Sequence, residues 1–282
     1  MIVGNDHYTD ITDLSGAIQD ARMMEAYVLK TLRVESGRVL TIFDATRNDL
    51  LDHLSEHFAQ ANRGDTLLFF YAGHGASYPL YNTGITGGAA IEAICPSNRG
   101  PKSDGSVIQD ISDRELNAIF STISHRVGPN ITVILDCCHA GGMQRQMTSR
   151  FTREDNDEDV ASRRAPPIQH GLKEMLTIAM KNKRIGFEGY MGLSPLDPNW
   201  TADRASHVLI AAAQDFERSI EAEKHGLFTH RLLEVIQDFP RKNINYYTIL
   251  QNFGSFTKPN IQHPTILGDN IDSFFLQIGN EG

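Results

Sequence analysis

The sequence predicts an α/β fold in which helices cover both faces of a mostly parallel sheet. Three short runs, at 67–71, 131–135 and 208–213, are continuously apolar and rich in β-branched or aromatic residues. Such runs are typical of parallel strands that are buried on both faces. Helical periodicity occurs between the runs, and strands that alternate with helices indicate βαβ crossovers. We therefore expect one domain over residues 1–282.

The remaining elements complete this pattern from the amino terminus onward. Two shorter strands are predicted at 1–3 and 38–43. Apolar residues at three- and four-residue spacing predict helices, which lie at 14–32, 50–58, 116–123 and 227–239. Thr46 and Ser112 precede two of these helices, each with an acidic residue three positions later. This spacing predicts an N-terminal cap at both places.

Composition and charge exclude several classes of function. Hydrophobic residues make up 40% of the 282 residues and charged residues 22%, which is ordinary for a soluble globular protein. No apolar run approaches the roughly 20 residues of a membrane helix, and no secretory signal is recognisable, so we expect no membrane binding and a cytoplasmic or nuclear location. The net charge of −9 argues against a nucleic-acid partner.

The three cysteines do not form a disulfide framework. Cys137 and Cys138 are neighbours and Cys95 stands alone. We expect reduced thiols, because an even, regularly spaced set would be needed for a network of disulfides. With two-residue alternation along the strand, Cys137 is expected to face away from Cys138 and to be a packed core thiol.

An imidazole and a thiol follow two of the predicted strands. His74 comes after the run at 67–71, and Cys138 comes after the run at 131–135. In an open parallel sheet, functional groups gather beyond the carboxyl ends of the strands, so the two side chains can meet if the strands are neighbours. A nearby imidazole raises the thiolate fraction of a cysteine. The backbone amides of Gly75 and Cys138 are candidate donors to an oxyanion.

The segments YAGHG (71–75) and DCCHAG (136–141) resemble the two signature segments of metacaspases and, more distantly, caspases. The resemblance implies a cysteine-type endopeptidase with His74 as the base and Cys138 as the nucleophile. It also implies a caspase-like three-layer sandwich with a mostly parallel six-stranded sheet and helices on both faces. Further matches at 14–21, 207–221 and 226–236 extend it over nearly the whole chain. The implied parts are a large-subunit-like part (1–142), a mobile linker (143–205) and a small-subunit-like part (206–282).

The same resemblance implies a preference for basic substrates. The acidic residues of the metacaspase specificity pocket match Asp20 and Asp136, and carboxylates there favour Arg or Lys through charge-assisted hydrogen bonds. Protein or peptide substrates with basic residues are therefore the expected partners. Several basic residues of the linker are candidate points of self-cleavage: Arg150, Arg153, Arg163, Arg164 and Lys181.

No cofactor is expected. Many metacaspases bind activating calcium through an acidic cluster, and the matching places hold Asn98, Ser112, Asp113 and Arg145. A single carboxylate in that set argues against calcium activation, because calcium prefers several oxygen ligands and negative charges.

Other interpretations compete with the peptidase. Cys138 taken alone fits a buried structural thiol, and Asp20 or Asp136 fits a carboxylate that accepts backbone amides. A metal cluster of Cys137, Cys138 and His139 is disfavoured, since consecutive residues at a strand end diverge. At the level of the whole chain, the alternatives are a catalytically silent scaffold in a cell-death or stress pathway and a peptidase that cuts after Asn or Asp. No pattern in the sequence sets an oligomeric state.

Overall fold

A six-stranded sheet forms the centre of the molecule. The computed structural model describes residues 1–80, 90–138, 161–181, 197, 200–213, 219–222, 225–237, 244–253 and 262–276. Six of its strands make up the main sheet: β1 (Ile2–Gly4), β2 (Thr41–Phe43), β3 (Leu67–Ala72), β4 (Ile131–Asp136), β5 (Val208–Ala211) and β6 (Thr265–Leu267). Their order is β6-β5-β4-β3-β1-β2, and every neighbouring pair is parallel except β5 and β6. The predicted fold class is confirmed.

The described residues contain six α-helices: α1 (Ala17–Ala26), α2 (Arg47–Ala59), α3 (Asp113–Val127), α4 (Gly171–Lys181), α5 (Leu227–Gln237) and α6 (Tyr246–Asn252). A π-helical turn at Tyr27–Thr31 continues α1, and Ser36–Arg38 forms a short 3₁₀ turn. None of the described helices combines the length and the apolar character that crossing a membrane would need.

The strands present alternate side chains to two separate hydrophobic layers. Phe70 and Ile134 pack with α1 and α5 on one face, whereas Phe69 and Val133 pack with α2 and α3 on the other. Successive residues of a strand point to opposite faces, so a continuously apolar strand is the pattern that a sheet covered on both sides requires. The result is the expected three-layer arrangement.

Both predicted helix caps are present. Thr46 accepts a hydrogen bond from the Asp49 amide, and the Asp49 carboxylate accepts one from the Thr46 amide in return. Ser112 Oγ accepts from the Glu115 amide at 3.1 Å. The carboxylate of Glu115 also binds the guanidinium of Arg47 with both oxygens, at 2.7 Å each, in the buried space between α2 and α3.

Additional strands lie beyond the carboxyl edge of the main sheet. One small sheet has four strands. Ala90–Ile94 lies between Gly75–Pro79 and Ile111–Ser112 and pairs antiparallel with both, and Arg164–Ala165 pairs in parallel with the free edge of Gly75–Pro79. A second small sheet pairs Ala161–Ser162, Ile220–Ala222 and His225–Gly226. A two-stranded ribbon joins Gly100–Pro101 to Val107–Ile108. Residues 161–162 therefore belong to one small sheet and residues 164–165 to the other, with residue 163 between them.

This placement differs from the mobile linker that the sequence predicts over 143–205. Residues 139–160 and 182–196 lie outside the described residues. Residues 161–165 and α4, however, pack against the rest of the fold, with Ala165, Met175 and Leu176 buried beside Tyr78. The polar composition of the segment is misleading because its arginine at position 163 is buried among carboxylates rather than exposed to solvent.

Candidate functional site

His74 and Cys138 lie at the ends of neighbouring strands. β3 and β4 pair in parallel up to Ala72 and Asp136, so each of the two residues stands two positions beyond that last pair. His74 is 4% exposed and Cys138 is completely buried. The chain thus brings the predicted imidazole and thiol to the same edge of the sheet, as the strand order requires.

The imidazole of His74 is held in one tautomer. Its Nε2 lies 2.9 Å from the carbonyl oxygen of Thr12, which can only accept, so Nε2 carries the proton. Nδ1 is buried and has no hydrogen-bond partner within the described chain. Burial lowers the pKa of His74, while backbone contacts with Thr12 and Arg163 oppose this shift. The ring is therefore neutral near pH 7, with the lone pair of Nδ1 available to accept a proton.

Tyr8 orients His74 from the loop that follows β1. Its hydroxyl accepts a hydrogen bond from the His74 amide at 2.8 Å and donates one to the carbonyl oxygen of Asn5 at 3.1 Å. The two rings contact each other with centroids 4.9 Å apart. Sequence reasoning missed this residue, because nothing in the polar segment around position 8 distinguishes it from an ordinary loop tyrosine.

Two serines contact the thiol of Cys138. Sγ accepts the Ser219 amide at 3.2 Å and lies 3.6 Å from Ser162 Oγ, and neither contact involves His74. Burial raises the pKa of Cys138, and the hydrogen bonds from Ser162 and Ser219 oppose that shift. The thiol is therefore protonated in this arrangement. Cys137 points to the opposite face, as alternation predicts, and packs in the layer of α2 and α3.

A segment of the chain itself runs through this site. The carbonyl oxygen of Arg163 accepts hydrogen bonds from the amides of Gly75 at 3.0 Å and Cys138 at 3.3 Å. These are the two amides that the sequence suggests as oxyanion donors. A side chain at position 75 would collide with the Cys138 carbonyl oxygen, so glycine is required for the strand to approach the thiol this closely.

The backbone on both sides of Arg163 is extended and paired. Before it, Ala161 and Ser162 pair antiparallel with Ile220–Ala222, and the Arg163 amide donates to the carbonyl oxygen of Ser219 at 3.0 Å. After it, Arg164 and Ala165 pair in parallel with the strand that begins at Gly75. An extended chain added to a strand edge in this way is the usual mode of peptide recognition by β-strand addition.

The side chain of Arg163 fills a fully buried acidic pocket. Its guanidinium donates to Asp20, lies 2.9 Å from Asp136 Oδ2 and donates to Glu221 Oε1 at 2.9 Å. Burial raises the pKa of Asp20 to about 7 even though the charge of Arg163 lowers it. Although burial disfavours its charge, the three carboxylates raise the pKa of Arg163 above its ordinary value. Among these residues, sequence reasoning found Asp20 and Asp136 and missed Glu221.

Each carboxylate of this acidic pocket is fixed by donors from a different part of the fold. The Gly226 amide donates to both oxygens of Asp20, at 3.0 and 2.9 Å. Asp136 accepts from Ser219 Oγ at 2.7 Å and from Thr229 Oγ1 at 2.6 Å. Glu221 accepts the amides of residues 15 and 16, at 3.2 Å each. The pocket is thus rigid, and its three charges are held together for a cation.

At the places matched to a calcium site, the described side-chain oxygens are engaged by backbone amides. Arg145 lies outside the described residues. The side-chain oxygens of Asn98, Ser112 and Asp113 each accept a hydrogen bond from a backbone amide, at 3.0, 3.1 and 2.7 Å. In the part of the chain that the structure describes, no three His, Cys, Asp or Glu side chains come together as a metal site would need.

The fold and the site define a class of protein: an α/β sandwich with an imidazole, a thiol and an acidic pocket, filled by Arg163, at one sheet edge. The model of the caspase domain family matches residues 1–266. The chain therefore belongs to the caspase domain family of cysteine peptidases.

Individual relatives agree with this family. Metacaspase-9 of Arabidopsis thaliana is 24% identical over 225 residues, which cover 76% of this chain and 63% of the relative. Metacaspase-2 of Trypanosoma brucei brucei is 25% identical over 152 residues, covering 51% and 41% respectively. The matched segments thus span less than two thirds of the length of these relatives. The crystal structure of protein GSU0716 from Geobacter sulfurreducens superposes with a TM-score of 0.59 at 19% identity, covering 94% of this chain and 90% of that one, which supports the fold.

Proposed function

We propose that the chain is a cysteine endopeptidase that hydrolyses peptide bonds after Arg, and less efficiently after Lys. The observation that carries this proposal is the seating of Arg163. Its side chain fills a pocket of three carboxylates while its own carbonyl oxygen accepts from the amides of Gly75 and Cys138. Because its carbonyl oxygen accepts from the amide of Cys138, a residue bound in this way lies next to the residue that carries the thiol, which is the place a substrate residue would take.

The chemistry follows from the two reactive groups. Nδ1 of His74 takes the proton from Cys138 Sγ, and the thiolate attacks the carbonyl carbon. The two amides stabilise the negative charge that develops on the oxygen. The imidazolium then gives its proton to the leaving amine, and water attacks the thioester to release the acid. These steps need no cofactor, and calcium is not part of the proposed mechanism.

The pocket favours Arg over Lys. Three nitrogens of the Arg163 guanidinium are engaged: Nε and Nη2 with Glu221, Nη2 with Asp20, and Nη1 with Asp136. The planar guanidinium of arginine can donate to carboxylates on several sides at once. A lysine ammonium is a compact charge on a flexible stem and has fewer donors to share among them. The same three charges exclude Asp, so a peptidase that cuts after Asp is not the function this pocket supports.

We also propose that the chain cuts itself between Arg163 and Arg164. Of the five basic residues predicted as points of self-cleavage, Arg163 occupies the acidic pocket, and Arg164 is exposed. Arg150 and Arg153 lie outside the described residues. The remaining candidate, Lys181, ends α4 and is exposed.

Turnover of matched fluorogenic peptides ending in Arg, Lys, Asp or Asn, with and without calcium, tests the proposal. We expect turnover of the Arg and Lys peptides, insensitivity to calcium, and complete loss in Cys138→Ala. Mass spectrometry of the aged protein should show a new amino terminus at Arg164 in the wild type and an intact chain in Cys138→Ala. Folded protein that cleaves none of the peptides, even after Arg163→Ala has emptied the pocket, would leave the scaffold alternative in its place.

A further inference from the structure

Residues 161–166, which we call the inhibitory arm, are held on both sides of the Arg163–Arg164 bond. On the amino-terminal side, the hold consists of the buried guanidinium in the acidic pocket, the two hydrogen bonds to the Arg163 carbonyl oxygen and the antiparallel pairing with Ile220–Ala222. A substrate needs this part of the contact to be positioned for attack. It does not by itself distinguish a substrate from an inhibitor.

The carboxyl-terminal side of the bond is also held, and these contacts are what distinguishes an inhibitor from a substrate. Arg164 and Ala165 pair in parallel with Gly75–Pro79, and the Ala165 side chain is 2% exposed in a cluster with Tyr78. The carbonyl oxygen of Pro166 accepts from Arg99 Nη2 at 3.0 Å. These contacts belong to the folded core, so they do not depend on the peptide bond that precedes Arg164.

The Arg99 contact is itself rigid. Its guanidinium is buried and donates to the two carboxylate oxygens of Asp110, from Nε at 2.7 Å and from Nη2 at 2.9 Å. Asp110 also accepts from the hydroxyl of Tyr78 at 2.6 Å, and that hydroxyl accepts the Ile168 amide at 3.3 Å. The chain after the scissile bond is therefore fixed by a connected set of buried polar contacts.

We propose that the inhibitory arm acts as a reversible substrate-like inhibitor in cis, because both ends of its scissile bond stay in place after attack; this rests on the proposed function. In the first step, the bond between Cys138 Sγ and the Arg163 carbonyl carbon forms and the bond to the Arg164 nitrogen breaks. The proton from Sγ passes through His74 to that nitrogen, which leaves as a neutral amine.

The fate of that amine decides the outcome. The amine of an ordinary substrate diffuses away, and water takes its place at the thioester. Here the new amine of residue 164 stays beside the thioester, because Ala165 and Pro166 remain bound to the core. A held nucleophile reacts with an effective concentration far above that of a free one, so it attacks the thioester and restores the peptide bond and the thiol. The amine also occupies the space that hydrolytic water needs.

Two consequences follow for the intact chain. Other peptides are excluded from the acidic pocket for as long as Arg163 fills it. Hydrolysis of the arm does not end the inhibition at once, because residue 163 remains joined through the chain to Cys138 and rebinds at high effective concentration. Activation therefore requires that the arm be displaced as well as cut.

Variants on the two sides of the scissile bond test this proposal separately. Ala165→Asp places a charge in the buried cluster and should release the carboxyl-terminal side while leaving the acidic pocket intact. We expect self-cleavage at residue 163 to become at least about tenfold faster than in the wild type. Ala165→Leu, which overfills the same cluster without a charge, should act in the same direction if Ala165→Asp does not fold. Ala205→Asp, at an exposed alanine, is the matched control and should behave as the wild type.

Two further readouts separate this proposal from the proposed function. Arg163→Ala should turn over an added Arg peptide at least about tenfold faster than the intact wild type, because the pocket is open. The isolated clipped wild type should re-form some intact chain on incubation, as measured by intact mass, and clipped Ala165→Asp should not. Equal peptide turnover by wild type and Arg163→Ala, or equal self-cleavage by wild type and both Ala165 variants, would overturn the inhibitory arm and leave the peptidase standing. No turnover by any folded variant would overturn the peptidase itself.

Discussion

A methyl group at position 226 should block the acidic pocket. A Cβ placed on Gly226 would lie 2.5 Å from Asp136 Oδ2, 2.8 Å from Arg163 Nη1 and 2.8 Å from Asp20 Oδ2. All three distances are shorter than any carbon contact that packing tolerates, and the atoms concerned are the two carboxylates and the guanidinium that they bind. Gly226→Ala must therefore push the guanidinium away from Asp20 and Asp136.

The magnitude follows from the contacts that the methyl group displaces. A hydrogen bond to a charged group contributes about 1.5–3 kcal/mol, so losing one lowers kcat/KM for an Arg peptide by roughly 10- to 100-fold. Overfilling a packed site also costs about 1–3 kcal/mol in the free energy of unfolding. The effect on turnover should be larger for Arg than for an uncharged residue at the same position of the peptide, since only the guanidinium contacts both carboxylates.

The assay compares Arg and Gln peptides in a background that carries Arg163→Ala, so that the pocket is empty. Gly37→Ala is the matched control, because a Cβ on Gly37 would meet nothing within 4 Å. Urea unfolding of the same variants separates a loss of folded protein from a loss of binding. If Gly226→Ala cleaves the Arg peptide with the kcat/KM of Gly37→Ala, the acidic pocket is not where the substrate side chain binds.

Three further predictions concern the groups around this pocket. With Arg163→Ala in the background, KM for an Arg peptide should fall as the pH rises above 7, because burial raises the pKa of Asp20 and the charge of Arg163, which lowers it to about 7 in the intact chain, is gone. Asp20→Asn should remove this pH dependence, and a KM that does not change with pH before the substitution would contradict the prediction. Tyr8→Phe should lower kcat by about tenfold with little change in KM, since the buried amide of His74 loses its acceptor. Tyr247→Phe, at an exposed site, is the control and should have no effect, and a change in KM alone would argue against an orienting role for Tyr8. Cys137→Ala should keep peptide turnover, because Cys137 packs in the core, and Cys138→Ala should abolish it. The opposite result would show that Cys137 is the nucleophile.

The sequence was sufficient to predict the sheet and to place His74 and Cys138 at one edge of it. Continuously apolar β-branched runs have few alternatives to buried parallel strands, and parallel strands end at a common edge. Once β3 and β4 were neighbours, His74 and Cys138 had to lie at the same edge of the sheet. The caps at Thr46 and Ser112 were equally accessible, because a capping motif is a contact between residues three positions apart.

The sequence could not identify the parts of the site that depend on distant contacts. Glu221 looks like an ordinary charged residue of a short strand until that strand pairs with Ala161–Ser162 and turns its side chain toward Arg163. Tyr8 orients His74 across a separation of 66 positions in the chain. Neither contact leaves a periodic or local signal.

Arg163 shows the division most clearly. The sequence determined that the segment after Cys138 is rich in arginine and that Asp20 and Asp136 are suited to bind one. Which arginine they bind was decided by the tertiary structure, which brings Arg163 to Asp20 across 143 positions of the chain. Residue types fix what an acidic pocket can hold, but the occupant is selected by the backbone pairing on both sides of it. That pairing exists only after the two small sheets have formed around the thiol.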